Sequence, residues 1–306
     1  MKVLVSGASG MVGTALQSLL QQAGHEVRPL SRQKHEGDSV LWSPAAGTID
    51  QTALEGFDAV VHLAGENIAA GRWTPAQKTR IRDSRVDGTR LLSQALAKLQ
   101  HKPRVLVSAS AIGYYGDRGD EILDENSPPG KGFLADVCRE WEAATVPAEQ
   151  AAIRVVHLRF GVILSPTGGA LAQMLTPFRL GLGGRLGSGR QYMSWITLDD
   201  AIGVIAHALI AEQLQGAVNA VTPEPVTNLA FTKALGQVLG RPTIFPVPAV
   251  AARLLLGEMA DALLLSSARV LPRKLEASGY EFRYAALEHA LRHLLGKTID
   301  SSPYAA

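Results

Sequence analysis

The stretch KVLVSGASGMVG, residues 2–13, decides the fold. A short apolar run leads directly into Gly7, Gly10 and Gly13, and apolar residues then recur with helical spacing. A diphosphate binds well at such a helix start, because free amides and the positive end of the helix dipole neutralise its charge when no Cβ blocks the approach. The pattern therefore predicts a strand–turn–helix dinucleotide site, although glycines also occur in plain turns. Its predicted cofactor-binding residues are Gly7, Ser9, Gly10, Met11, Val12 and Gly13.

The end of the next predicted strand indicates which dinucleotide is bound. A site that prefers NAD places an Asp or Glu there to bind the ribose hydroxyls. This chain has Ser31 and Arg32 instead, with Lys34 close behind. A guanidinium at this place pairs well with a 2′-phosphate, so the sequence favours NADP(H). The alternative is a solvated loop arginine.

Strand and helix patterns alternate through the first two-thirds of the chain, which is typical of an α/β protein with a parallel sheet covered on both faces. The segments that read as strands are Lys2–Ser6, Glu26–Leu30, Ala59–Leu63, Val105–Ser108 and Val155–Arg159. The segments that read as helices are Met11–Ala23, Pro75–Leu99 and Phe133–Gln150. The order predicts a Rossmann-type doubly wound parallel sheet.

The pattern changes after Ser165, where glycines become frequent. We expect an NADP-binding Rossmann domain at 1–165, to which 195–220 return, and a smaller interleaved C-terminal substrate domain at 166–194 and 221–306. Asp199 and Asp200 precede an apolar run, which predicts a helix capped by an Asp. Further helices are expected at Leu171–Leu180, Asn228–Leu239, Ala249–Leu256 and Tyr284–Leu295.

Composition excludes several classes of protein. The 30 basic and 28 acidic residues are well mixed, so nucleic acid and anionic membranes are not expected partners. The single cysteine, Cys138, excludes a disulfide framework and a zinc site of several thiolates, and no metal site is expected. No apolar run is long enough to span a bilayer and the N-terminal segment lacks a cleavage pattern, so we expect a cytoplasmic protein.

Several longer motifs resemble those of one family. GASGMVG (7–13), VVHLAGEN (60–67), SRVDGTRLL (84–92), VSASAIGYYGD (107–117) and LRFGVIL (158–164) resemble the extended and atypical short-chain dehydrogenase/reductases of the NAD(P)-dependent epimerase/dehydratase family. RWTPAQK (72–78), PFRLGLGGRLGSGRQ (177–191), SWITLDD (194–200) and VLPRKL (270–275) are similar to its nucleoside-diphosphate-sugar epimerase-like branch. The resemblance implies NADP binding, a C-terminal domain that closes over a substrate crevice, and a homodimer.

The chain departs from this family at the catalytic centre. Family members use a Ser together with a Tyr and a Lys spaced YxxxK. Aligning on Glu142 places Leu134 and Cys138 at the Tyr and Lys positions, with Phe133 beside them. Neither Leu nor Phe can exchange a proton, which puts catalysis in doubt.

Two residue types remain as catalytic candidates. A serine at the carboxyl end of a strand, Ser110 or else Ser108, would bind a substrate carbonyl, or would simply satisfy a turn amide. Tyr114 or Tyr115 in the following loop would replace the missing phenol, or would simply pack. We take Ser110 and Tyr114 as the catalytic candidates and Ser108 as a cofactor contact.

The resemblance assigns further residues to the crevice. Arg85 would face a cofactor phosphate or an anionic substrate, unless it forms a surface ion pair with Asp83 or Asp87. His62, inside a strand, is expected to be a satisfied core imidazole. The remaining cofactor contacts are Leu63, Ala64, Gly65, Gly161 and Val162. The substrate contacts are Glu66, Asn67 and Trp195. Arg185 is added as a substrate contact because the glycine-rich loop 181–189, with Arg179 and Arg190, could clamp an anionic substrate as a mobile lid.

Two functions remain open at this stage. The first is an NADP(H)-dependent oxidoreductase or epimerase-like enzyme that acts on a small carbonyl, hydroxyl or nucleotide-sugar compound. The second is an NADP(H)-binding regulatory or redox-sensing protein with little or no catalysis. Loss of the YxxxK pair favours the second, and retention of the serine and the arginines favours the first.

Overall fold

The computed structural model describes residues 1–33 and 39–297, and Lys34 lies outside them. Its strands, in chain order, are β1 (Lys2–Ser6), β2 (Glu26–Ser31), β3 (Val40–Ser43), β4 (Thr48–Ile49), β5 (Ala59–His62), β6 (Val105–Ala111), β7 (Ile122–Leu123), β8 (Arg154–Phe160), β9 (Val162–Leu164), β10 (Tyr192–Met193), β11 (Trp195–Thr197), β12 (Gly216–Ala220), β13 (Val226–Thr227) and β14 (Arg269–Val270).

The helices also follow in chain order. They are α1 (Met11–Gln22), α2 (Pro75–Ala97), α3 (Phe133–Ala143), α4 (Val146–Gln150), α5 (Gly169–Arg179), α6 (Leu198–Ile210), α7 (Asn228–Leu239), α8 (Ala249–Leu256), α9 (Arg273–Ala277) and α10 (Leu287–Leu294). A 3-10 turn spans Ile112–Tyr115, and a π-helical segment spans Ala260–Leu265.

The main sheet has the strand order β12-β8-β6-β5-β1-β2-β3-β4. All neighbouring strands are parallel except β3 and β4, which are antiparallel. The chain leaves β1 towards β2 and later returns to β5 on the other side of β1. This reversal creates the crevice at the carboxyl ends of the strands where doubly wound folds bind ligands. The predicted Rossmann-type fold is confirmed.

The sheet is buried because apolar helices cover both faces. Leu16 of α1 and Ile205 of α6 pack with Val5 and Val107 on one face. The helices α2 and α4 bury Leu92, Leu96 and Ala148 with the other face. A third core joins α5, α7, α10, β9 and β11 in the C-terminal part. The division of the chain into two domains stays a prediction.

Helix boundaries follow local chemistry, and two of our predictions were wrong. The predicted helix Phe133–Gln150 ends at Ala143 and restarts at Val146, because Pro147 fits only the first turn of a helix. The cap of α6 is not an Asp but Thr197, whose side chain accepts a hydrogen bond from the Asp200 amide at 3.0 Å.

Asp200 has a different role from capping. Its carboxylate is fully buried and accepts hydrogen bonds from the Arg283 amide at 2.8 Å and the Tyr284 amide at 3.0 Å. The Tyr280 hydroxyl also donates to it at 3.2 Å. The carboxylate therefore fixes the segment before α10 against α6.

The segment Tyr192–Ile196 returns to the core only in part. β11 pairs in parallel with β9 in a separate two-stranded sheet, whereas β12 joins the main sheet beside β8. Among residues 1–33 and 39–297, no helix has both the length and the apolar character that crossing a membrane requires.

Candidate functional site

The glycine turn between β1 and α1 leaves no space for side chains. Gly7 has φ +68°, and a Cβ there would lie 2.8 Å from the carbonyl carbon of Leu63. A Cβ on Gly13 would lie 2.2 Å from the Gly7 oxygen. The turn therefore packs directly against the end of β5, and only glycine fits at both positions.

The amides at the start of α1 are available to a ligand. The cap residue Gly10 offers no side-chain acceptor, and the first turn holds no acidic residue. Within the described residues, the Met11 and Val12 amides donate to no protein acceptor, and Ser9 and Gly10 are exposed beside them. Free amides at the positive end of a helix fit a diphosphate. Residues and shape thus agree with a dinucleotide.

Arg32 follows directly after β2, next to this turn. Its side chain is exposed and has no ion-pair partner among the residues the structure covers. Ser31 accepts a hydrogen bond from the Gln33 amide at 3.2 Å, which shapes the turn below the guanidinium. Within residues 1–33 and 39–297, no carboxylate therefore competes with an anionic ligand for this guanidinium.

A buried hydrogen-bond network joins β1 to β5 beneath the turn. The Ser6 hydroxyl lies 2.6 Å from Nδ1 of His62, and Nε2 of His62 lies 3.0 Å from the Thr89 hydroxyl. The Leu63 and Ala64 amides donate to the same Ser6 oxygen at 3.1 and 3.3 Å. Burial lowers the pKa of His62 to about 4, so the ring is neutral at pH 7. The prediction of a satisfied core imidazole is confirmed.

Arg85 lies under the loop that follows β5 and pairs with no carboxylate of the described residues. Asp83 pairs with Arg82 and Asp87 with Arg90. The Arg85 guanidinium donates to the carbonyls of Glu66 at 3.0 Å and Ile81 at 3.1 Å.

The surroundings of Arg85 leave it half-buried. Its guanidinium carbon lies 5.1 Å from the centroid of the Trp141 ring, and a Cβ on Gly65 would lie 3.3 Å from the same carbon. Burial lowers the pKa of Arg85, and nearby Cys138 and Glu66 partly oppose this shift.

Ser110 belongs to a buried charge network that the sequence did not predict. Its hydroxyl donates to Glu142 at 2.7 Å. Arg159 makes a bidentate ion pair with the same carboxylate, with both distances 2.8 Å. Burial works to lower the pKa of Arg159, but hydrogen bonding and the charge of Glu142 outweigh it and raise this pKa. An arginine within the apolar strand β8 was the available sequence signal, because a buried cation requires a partner.

The two adjacent tyrosines have different environments. Tyr115 is fully buried and its hydroxyl donates to Asn219 at 2.7 Å, and burial raises its pKa to about 12. Tyr114 is half-buried, and the centroid of its ring lies 3.4 Å from the guanidinium carbon of Arg159. In the part of the chain described, the Tyr114 hydroxyl has no hydrogen-bond partner. Of the two phenols, Tyr114 is therefore the one that is partly exposed and whose hydroxyl is left without a described protein partner.

The positions expected for the family's Tyr and Lys lie beside this turn. A Cβ on Gly113 would lie 3.2 Å from Cβ of Leu134 and 3.8 Å from Sγ of Cys138. Cys138 is buried, and burial raises the pKa of its thiol to about 12. The turn that carries Tyr114 thus packs on the residues that stand at these two expected positions.

The other predicted residues are dispersed around the crevice. Glu66 is half-buried, and the Asn67 side chain accepts from the Ala69 amide at 2.9 Å within its own loop. Ser108 is buried in β6, and its hydroxyl donates to the Ala109 carbonyl at 3.4 Å. Between β8 and β9, a Cβ on Gly161 would lie 2.5 Å from the Ser194 oxygen, which also accepts from the Val162 amide at 2.9 Å.

Two predicted substrate contacts lie away from an open crevice. Trp195 is fully buried, and its indole donates to the Glu224 carbonyl at 3.1 Å, so it packs the core beneath β9. Arg185 is exposed and donates to the Ser188 carbonyl in its own loop at 2.9 Å. Within residues 1–33 and 39–297, no three His, Cys, Asp or Glu side chains are grouped as metal ligands.

Comparisons with known proteins agree with this geometry. Residues 3–220 match the model of the NAD dependent epimerase/dehydratase family, and residues 247–294 match a domain of unknown function (DUF1731). An epimerase family protein of Mycobacterium bovis is 46% identical over 290 residues, which cover 94% of this chain and 96% of that protein. The mouse epimerase family protein SDR39U1 is 40% identical, covering 96% of this chain and all of that one.

Two solved structures are also similar. The crystal structure of human epimerase family protein SDR39U1 (isoform 2) with NADPH has a TM-score of 0.90 at 37% identity, covering 97% of this chain and 100% of the human chain. A nucleoside-diphosphate sugar epimerase from Corynebacterium glutamicum has a TM-score of 0.81 at 38% identity, covering 97% of this chain and 58% of its own. The chain belongs to the NAD dependent epimerase/dehydratase family.

Proposed function

We propose that this chain binds NADP(H) at the turn between β1 and α1. The observation that carries the proposal is the glycine cradle, where two side-chain-free positions expose the uncapped start of α1. Met11 and Val12 would donate to the diphosphate, and Arg32 would pair with the 2′-phosphate. The human relative crystallised with NADPH supports the same assignment.

We further propose that the chain is an NADP(H)-dependent oxidoreductase or epimerase-like enzyme for a small carbonyl, hydroxyl or nucleotide-sugar compound. When bound, the nicotinamide supplies a hydride donor or acceptor. Tyr114 is the candidate proton donor, because its hydroxyl has no hydrogen-bond partner among residues 1–33 and 39–297 and its turn packs on Leu134. Ser110 already donates to Glu142, so it would accept a hydrogen bond from a substrate hydroxyl rather than donate to a carbonyl.

The test of catalysis is a turnover screen with purified full-length chain and NADPH against carbonyl and nucleotide-sugar panels. For any active substrate, Tyr114→Phe should lower kcat by about 100-fold or more, because general acid catalysis contributes about that much. Tyr192→Phe is the matched control, because the Tyr192 ring also lies beside an arginine, Arg269. This variant should leave kcat unchanged. Equal kcat in wild type and Tyr114→Phe would contradict the role of Tyr114.

The second candidate function is an NADP(H)-binding regulator with little turnover. The apolar Leu134 and the buried Cys138 favour it, because neither replaces the acid of the YxxxK pair. A raised thiol pKa makes Cys138 a poor redox sensor, so any redox response would depend on the oxidation state of the cofactor. Tight NADPH binding without turnover of any substrate class, together with different hydrogen exchange in NADP⁺ and NADPH, would favour this function.

The sequence also predicts a cytoplasmic location, and the family resemblance predicts a homodimer. Sedimentation velocity and cell fractionation would test these two properties. Neither is required for cofactor binding at the glycine turn.

A further inference from the structure

An apolar cluster stands at the carboxyl ends of β5 and β6. Trp73, Ile81 and Met259 form its buried base. Six partly exposed residues pack on this base, and we call them the apolar wall: Ile68, Phe133, Leu134, Leu256, Ala262 and Leu263. The wall is built from the loop after β5, the start of α3, the end of α8 and the segment that follows α8.

The apolar wall adjoins the candidate proton donor. Leu134 packs against Gly113, the residue before Tyr114. The Trp73 indole donates to the Ile68 carbonyl at 2.8 Å, which fixes the loop after β5 in the wall. The rings of Trp73 and Phe133 meet edge to face, with centroids 5.2 Å apart. Through Leu134 the wall therefore reaches the backbone of the turn that carries Tyr114, whose own ring packs in the neighbouring cluster around Tyr115.

The cations next to the wall already have protein partners. Lys78 forms an ion pair with Glu258 and lies 5.0 Å from the centre of the Phe133 ring. Arg72 donates to the carbonyls of Leu254 and Leu255 at the end of α8. Arg85 donates to two carbonyls, as described above. A diphosphate at the wall would have to break one of these contacts to gain a counter-charge.

We propose that the substrate of this site is a carbonyl or hydroxyl compound with an aliphatic or aromatic body, not a nucleoside-diphosphate sugar. This inference rests on the proposed enzymatic function and narrows its substrate class. An apolar body gains free energy when the wall removes it from water. Sugar hydroxyls and phosphates against the same surface would lose hydrogen bonds to water without replacing them.

The test is calorimetric titration of the full-length chain, with and without NADPH, using acetophenone, 2-octanone and UDP-glucose as probes. Leu134→Asn and Leu263→Asn place an amide in the wall, and their unchanged NADPH affinity would show that they fold. Leu180→Asn is the matched control, because Leu180 is 69% exposed and lies after α5, outside the wall. We expect an apolar ketone to bind wild type and Leu180→Asn, and to bind either wall variant at least about tenfold more weakly.

Three results would overturn the inference. The first is that UDP-glucose binds the wild-type chain more tightly than both ketones do. The second is that a ketone binds the wall variants as tightly as it binds Leu180→Asn. The third is that none of the three probes binds to a chain that binds NADPH. The last result leaves the cofactor proposal intact. If NADPH does not bind but ketone binding still depends on the wall, the inference on the ligand class is supported and the proposed cofactor is refuted.

Discussion

The glycine turn and the Ser110 network lie at the same edge of one sheet but are built by different means. At the turn, backbone atoms form the site, and Gly7 and Gly13 are required because a Cβ at either position would collide with the neighbouring backbone. At Ser110, side chains from three elements, β6, α3 and β8, make a buried charged network. The cofactor end keeps the glycine spacing that the sequence resemblance predicts, whereas at the reaction end Leu134 and Cys138 stand where that resemblance places a YxxxK pair.

This difference shows that only the cofactor end requires particular residues close together in the sequence. A diphosphate requires free amides without Cβ atoms, so the residues that meet this need are neighbours along the chain. A proton donor needs only a reachable hydroxyl at the right place, and another element can supply it. Tyr114, on the turn that packs against Leu134, is such a replacement candidate.

The largest effect that separates the two ends is expected for Gly13→Ala. The new Cβ would lie 2.2 Å from the Gly7 oxygen, so the turn must open. NADPH affinity should fall more than about 1000-fold, because strain of this severity costs over about 4 kcal/mol. Fluorescence titration of NADPH measures it. Gly71→Ala, where a Cβ meets no atom within 4 Å, should bind as wild type. Equal affinity in both variants would show that the turn does not hold the cofactor.

Glu142→Ala probes the reaction end through stability. It leaves the Arg159 guanidinium, whose side chain is 4% exposed, without its counter-charge. The free energy of unfolding should fall by about 3–5 kcal/mol, the usual cost of breaking a buried pair. Glu140→Ala, two residues away, removes an exposed pair with Arg82 and should cost less than about 1 kcal/mol. Similar urea unfolding midpoints for the two variants would refute the buried network.

His62 makes the link between β1 and β5 sensitive to acid. Its pKa is about 4 when folded, against an ordinary value of 6.5, so the unfolded chain binds the proton first as pH falls. The neutral ring therefore makes its full contribution to the free energy of unfolding above pH 6.5. This contribution, about 3 kcal/mol, is lost as the pH falls from 6.5 towards 4. His62→Gln should remove that part of the pH dependence in urea unfolding, and His101→Gln, on an exposed ring, should not. A His62→Gln chain with the wild-type pH profile would contradict the neutral buried ring.

Arg32→Ala is expected to have the smallest effect and the most selective one. Loss of a charge-assisted contact costs about 1.5–3 kcal/mol, so NADPH should bind about 10- to 100-fold more weakly while NADH is unaffected. Arg273→Ala, which removes an exposed cation on α9, is the control. If Arg32→Ala weakens NADPH and NADH equally, the arginine does not contact the 2′-phosphate.

Particular elements show how much of the fold and of the site could be predicted from the sequence. The strand–turn–helix unit at residues 2–22 was predictable because its apolar spacing and glycines are local. β3 and β4 were missed, since each is four residues or shorter and stable only through pairing at the sheet edge. Ser110 was assigned to the crevice, but its bond to Glu142 depends on packing between β6 and α3, which no local pattern records. Ser6 and Thr89 were missed for the same reason.

The most direct test of the account is a crystal structure of the chain with NADPH. We expect density for the diphosphate at the Met11 and Val12 amides, with the 2′-phosphate at Arg32 and the nicotinamide towards Tyr114. Density for the cofactor elsewhere, or a glycine turn closed by side chains with no nucleotide, would contradict the central claim that the two ends form one NADP(H) site.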